Sequence, residues 1–152
     1  MSKKLYSVGE AQRLAKVKLP KMIYDFVEGS AGDESLRDLN TAALDKMRLM
    51  PRVLIDVSKR SLDLQFLGQD YGLPFGVAPM GMCNLVWPLA DQIIAREAAR
   101  RRFPVAVSTA SSTTLERMIE LADGFAWFQL YADQSPEFVS DLIERAASAN
   151  YD

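Results

Sequence analysis

A chain of 152 residues, 49% hydrophobic and 25% charged, has the composition of one soluble domain large enough to bury a core. Its 18 Lys/Arg and 20 Asp/Glu leave a formal charge of −2, and basic residues gather only at Lys3-Lys4 and Arg100-Arg101-Arg102, which argues against nucleic acid as a partner. The lone Cys83 excludes an intramolecular disulfide and fits a buried structural thiol in a reducing, cytoplasmic setting, and the absence of histidine removes the commonest general base.

The N-terminus runs from Met1 to Ser7 into charged, helix-like sequence with no apolar stretch of the signal-peptide kind. Ser7 and Glu10 have capping-box spacing and predict a first helix. A second is expected from near Pro20 to Gly29, with proline at its first turn and glycine past its end, and a third from about Asp33 to Leu44, opened by the acidic pair Asp33-Glu34. Between Met47 and Gly68 the period changes, and Leu62-Asp63-Leu64-Gln65-Phe66 alternates as a half-buried strand does. Residues 1–68 therefore read as a helical and short-strand lead-in, and 69–152 as three βα units.

The three strands are Phe75-Gly76-Val77-Ala78-Pro79, Val105-Ala106-Val107-Ser108-Thr109 and Ala126-Trp127-Phe128-Gln129-Leu130-Tyr131. Leu73 to Ala90 is apolar enough to suggest a membrane span, yet its prolines and glycines suit a strand, a loop and a helix start. The first following helix is expected to bury Leu89, Ile93, Ile94 and Ala98. The next opens on Thr113 and Glu116, and the last starts at Ser135-Pro136-Glu137 and presents Phe138, Leu142, Ile143 and Ala146.

Side chains alternate across a strand, so each strand has two rows. Phe75, Val77, Val105 and Val107 form a bulky row expected to pack on the helices, while Gly76, Ala78, Ala106 and Ser108 form a small row that leaves room for a flat ring. On the third strand Trp127, Gln129 and Tyr131 share a row, which places an amide and a phenol at the C-terminal end, where parallel α/β folds build their sites. Gly81 allows close approach of a ligand to the backbone, and Ser108-Thr109-Ala110-Ser111-Ser112 offers hydroxyls and free amides, either as a polar cradle or as an ordinary helix N-cap region.

Five stretches then stand in register: Tyr24-Asp25-Phe26-Val27-Glu28-Gly29-Ser30-Ala31, Pro51-Arg52-Val53-Leu54 with Asp56-Val57-Ser58, Ala78-Pro79-Met80-Gly81, Ser108-Thr109-Ala110-Ser111-Ser112, and Trp127-Phe128-Gln129-Leu130-Tyr131. Together they resemble the FMN-dependent 2-hydroxy acid dehydrogenase and oxidase family, which includes glycolate oxidase, L-lactate dehydrogenase and (S)-mandelate dehydrogenase. The resemblance implies the N-terminal part of a (β/α)₈ TIM barrel that binds FMN at its C-terminal face. It implies that Pro79, Met80 and Gly81 approach the flavin through their backbone, that Ser108 and Gln129 hydrogen-bond the isoalloxazine ring, and that Tyr24 and Tyr131 bind the 2-hydroxy acid. Met80 departs from the threonine common in the family, and Trp87-Pro88 stands where many oxidases have His-Pro, which leans toward the mandelate dehydrogenase branch.

A (β/α)₈ barrel takes about 250 residues, so three units form one side of the flavin pocket. The resemblance places the histidine base, the carboxylate-binding arginines and the lysine that supports reduced flavin in later parts of the barrel. The chain alone is therefore expected to be inactive, to need a C-terminal complement, and to stop at Asp152 where a fourth strand is due. A full-length form is expected to be a homo-oligomer, with membrane association left open. The alternatives are a non-catalytic flavin-binding or partner-completed module and a self-contained flavodoxin-like sheet, which the long helical lead-in and the strand count fit poorly.

Overall fold

The computed structural model describes residues 5–132 and 135–151. The basic pair Lys3-Lys4 and the terminal Asp152 lie outside the described residues. The chain divides into two units, Met1–Ser58 and Lys59–Asp152.

The first unit carries α1 (Val8–Lys18), α2 (Lys21–Glu28) and α3 (Ser35–Asp45). Ser7 caps α1 as its spacing with Glu10 predicts. The Ser7 hydroxyl accepts the Glu10 amide at 3.1 Å, while the Glu10 carboxylate accepts the Tyr6 amide at 3.2 Å. Pro20 stands at the N-cap of α2, immediately ahead of its first turn, and Gly29 follows the helix and donates its amide to the Asp25 carbonyl. The acidic pair Asp33-Glu34 lies just outside α3, because Glu34 takes a left-handed φ of 63° and helical geometry begins only at Ser35. None of the residues in these three helices is buried.

The second unit opens with an antiparallel hairpin of β1 (Leu64–Phe66) and β2 (Gln69–Tyr71). Sequence alternation predicts one strand here. The partner strand escapes it because only three residues follow the turn before Gly72. Leu67 and Gly68 take φ values of 50° and 83°, the left-handed pair that a two-residue hairpin turn needs.

A parallel sheet follows, in the order β3 (Val77–Met80), β4 (Val105–Ser108), β5 (Ala126–Gln129), with α4 (Ala90–Arg101), α5 (Leu115–Leu121) and α6 (Pro136–Ser148) after successive strands. On β3, three residue steps from Val77 to Met80 span only two on β4, from Val105 to Val107. Pro79 lies inside this irregular stretch and has no amide to donate, which suits an edge strand with a bulge.

The core joins Ala95 and Ala98 of α4, Val105 and Val107 of β4, Met118 and Ile119 of α5, and Ala126 of β5. Burying each of the two valines contributes about 1.5–3 kcal/mol. Val77 packs against this core as its row predicts, but Phe75 does not, being 61% exposed and lying before β3, with its ring 6.2 Å from that of Phe103. The buried face of α4 also departs from expectation. Ala98 is buried and Ile94 packs against the core as expected, but Leu89 is a left-handed residue ahead of the helix, Ile93 is exposed, and Asp91 and Ala95 face inward as well. Alanines there let the helix lie close to the sheet. Along α6, Leu142 and Ala146 are buried but Phe138 and Ile143 are exposed. The cap of α5 is Thr114, whose hydroxyl accepts the Arg117 amide, one residue later than predicted.

Candidate functional site

The C-terminal ends of β4 and β5 carry the polar residues, whereas β3 ends on the apolar Pro79 and Met80. In the parallel register Ala106 pairs with Trp127 and Ser108 with Gln129, so these side chains share the face opposite Val105, Val107 and Ala126. The hairpin covers the N-terminal end of this face, where the Trp127 ring lies 6.0 Å from Phe66 and 6.2 Å from Tyr71. A cavity of about 200 Å³, lined by Leu64, Phe66, Phe75, Pro104 and Trp127 among others, sits at this floor.

At the other end Ser108 is buried and its hydroxyl accepts the Ala110 amide at 3.1 Å, which leaves its own proton available to donate. The Gln129 Oε1 is buried and has no hydrogen-bond partner among the described residues. A buried amide oxygen without a donor is costly, so a ligand N–H there would be stabilising. Tyr131 lies past the end of β5 and is exposed. Pro79 and Met80 are strand residues of β3 and not part of a loop, and both are exposed. Gly81 follows them, and a Cβ placed on it would come 3.0 Å from the Ala110 Cβ. Its smallness thus also serves the contact between two strand-end loops, which the Met82 amide reinforces by donating to the Ala110 carbonyl at 2.9 Å. Tyr24 belongs to α2 in the first unit, where it is half-buried.

The segment after β4 corrects one expectation. Its amides are not free: Thr109 donates to the Gln129 carbonyl, Ala110 to the Ser108 hydroxyl, Ser111 to the Ser108 carbonyl, Ser112 to Asp91 and Thr113 to the Ser111 hydroxyl. Backbone groups committed in this way cannot cradle an anion. What remains for a ligand is side-chain chemistry: the Ser108 proton, the Gln129 amide and the Tyr131 phenol.

Asp91 is the residue that sequence reasoning missed. It is 4% exposed, and its Oδ2 accepts the Ser111 hydroxyl at 3.0 Å and the Ser112 amide at 2.8 Å, clamping the start of α4 to the loop after β4. An acid in the first turn of a helix looks like ordinary dipole chemistry, so only its burial reveals the clamp. Burial, and then the neighbouring Asp91, push the Cys83 thiol up to about 11. At pH 8 about one thiol in a thousand is ionised. Thiol reagents are therefore expected to label the native chain slowly and the urea-unfolded chain fast. Equal rates would show that Cys83 is not held in this environment.

The sequence profile of the FMN-dependent dehydrogenase family matches residues 15–152. The chain is 35% identical over 151 residues to (S)-mandelate dehydrogenase of Pseudomonas putida, covering 99% of itself and 38% of that protein. It is likewise 35% identical to an L-lactate oxidase of Nostoc sp., covering 93% of itself and 40% of the relative. The crystal structure of a soluble mutant of the membrane-associated (S)-mandelate dehydrogenase from Pseudomonas putida superimposes with a TM-score of 0.88 at 35% identity, covering 97% of this chain and 42% of that one. The chain thus spans about two fifths of the length of these relatives, and its parallel sheet and helices form part of a TIM barrel. Among the described residues no helix is long and apolar enough to cross a membrane. With the family match, the shared fold and five sequence stretches in agreement, the chain belongs to the FMN-dependent dehydrogenase family.

Proposed function

We propose that the chain is the N-terminal portion of an FMN-dependent oxidoreductase that oxidises a mandelate-, lactate- or glycolate-like 2-hydroxy acid to the 2-oxo acid. The observation that carries this reading is the buried, partnerless Gln129 Oε1, paired in register with Ser108 at the strand ends of a family member. These groups fit an isoalloxazine ring, because Oε1 accepts from a ring N–H while the Ser108 hydroxyl donates to a ring acceptor. The backbone of Pro79, Met80 and Gly81 would flank the ring, and the Tyr131 and Tyr24 phenols would bind the acid. FMN held there would supply the redox chemistry, as acceptor of the hydrogen from C2 of the acid.

The chain's part is to hold and orient. It has no histidine to take the hydroxyl proton, and a positioned general base contributes about 10²–10⁴-fold, or roughly 3–5 kcal/mol of barrier. The isolated chain is therefore expected to show no turnover. β3 and β5 are both edge strands, and further βα units would cover their open edges and supply the base.

The test combines the purified chain with FMN, alone and co-expressed with the C-terminal portion of a relative, and follows flavin fluorescence and reduction by (S)-mandelate and L-lactate. Reduction only in the completed form supports the proposal. Tight FMN binding without reduction in either form would favour the non-catalytic module, and no binding in either form would overturn the flavin reading.

A further inference from the structure

Thr109 lies one residue beyond the last residue pair of β4 and β5, Ser108 with Gln129. Its amide donates to the Gln129 carbonyl at 3.1 Å, and its hydroxyl donates to the same oxygen at 2.6 Å. That hydroxyl also accepts the Tyr131 amide at 3.0 Å. The single hydroxyl proton and one lone pair are thereby both engaged, one on each side of Leu130. A side-chain oxygen does here what the next main-chain carbonyl would do in a longer strand, and among the described residues no other side chain bonds the backbone of residues 129–131.

The consequence concerns direction. β5 ends at Gln129, and Tyr131 is 54% exposed, so packing alone constrains its side chain less than it would a buried one. The backbone staple sets where the chain leaves the sheet and hence where the Gln129 amide and the Tyr131 phenol point. We infer that Thr109 is a positioning residue, whose hydroxyl holds Gln129 and Tyr131 in the orientation in which they meet the flavin and the 2-hydroxy acid. This rests on the flavin reading of the site. Thr109 itself touches neither ligand, because its hydroxyl is turned into the backbone.

Two variants test it. Thr109→Val keeps the shape and removes both hydrogen bonds, whereas Thr109→Ser keeps the hydroxyl. In the full chain, Thr109→Val is expected to speed hydrogen exchange at the Tyr131 amide by roughly three- to tenfold, with the Met82 amide as an unaffected control and Thr109→Ser close to the parent. In the chain completed by its C-terminal complement, Thr109→Val is expected to shift the bound flavin spectrum and raise KM for the acid more than it lowers kcat, and Thr109→Ser is expected to restore both.

Unchanged Tyr131 exchange in Thr109→Val would show that no staple exists and overturn the inference. Faster exchange with an unchanged flavin spectrum and KM would also overturn it, since the staple would then be structural only. If the parent binds no flavin, the functional reading fails along with the role assigned to Thr109, while the exchange measurement still reports separately on the staple.

Discussion

Gly76→Ala is expected to lower the unfolding free energy by about 2 kcal/mol, measured by urea denaturation. A Cβ on Gly76 would lie 2.5 Å from the Pro104 carbonyl oxygen and 2.8 Å from its Cγ. Neither atom can swing aside, because the first is main chain and the second belongs to a rigid ring buried beside Phe103. That same carbonyl accepts the Val77 amide at 2.9 Å, so relief of the clash must loosen the rung that joins β3 to β4. Overpacking costs about 1–3 kcal/mol and a weakened backbone hydrogen bond about 0.5–1.5. The reduced freedom of alanine in the unfolded chain offsets about 0.4–1 kcal/mol, too little to reverse the sign. Gly9→Ala serves as the control. Gly9 lies within α1 with nothing within 4 Å of its would-be Cβ, and the change is expected to stabilise by about 0.5–1 kcal/mol. A neutral Gly76→Ala would mean that the two strands do not approach as closely as described.

Asp91→Ala is expected to cost about 2–4 kcal/mol. Two hydrogen bonds end on one carboxylate oxygen, and bonds to a charged group contribute about 1.5–3 kcal/mol each before any relaxation of the loop. The favourable charge at the start of α4 is lost as well, at about 0.3–1 kcal/mol. Asp91→Asn is expected to cost less than half as much, because both donors reach the same Oδ2 and an amide oxygen in that place still accepts both. Urea denaturation gives the stability, and hydrogen exchange at the Ser112 amide locates the damage. Equal costs for the two variants would assign the effect to charge and would remove the clamp from the description.

Parts of this fold were legible in sequence because their causes are local. The Ser7 and Ser135 caps follow from hydroxyls placed three residues before the amides they accept. The strand centres follow from short apolar runs, and the small row at Ala106 and Ser108 from simple alternation. Strand ends were less legible. The third strand stops at Gln129, two residues short of the expected Tyr131, because Thr109 replaces the backbone partner with its side chain. Burial on α4 was misjudged for a related reason. Apolar character favours Leu89 and Ile93 beside the correctly placed Ala98, whereas close approach to the sheet adds the small Ala95 and leaves the two larger residues outside.

The order of helices and strands, the caps, the row carrying Ser108 and Gln129, and the family resemblance were all determined by the amino-acid sequence, since each depends on neighbours within a few residues or on matched stretches. Only the tertiary structure decided that the amides after β4 are committed, that Asp91 is a buried clamp, that the Gln129 oxygen lacks a donor, and that Thr109 holds the exit from β5. The Asp91 clamp and the hold of Thr109 depend on partners about 20 residues apart, Asp91 with Ser112 and Thr109 with Gln129. Such pairs are set by strand register and helix placement, which the whole packed sheet determines together.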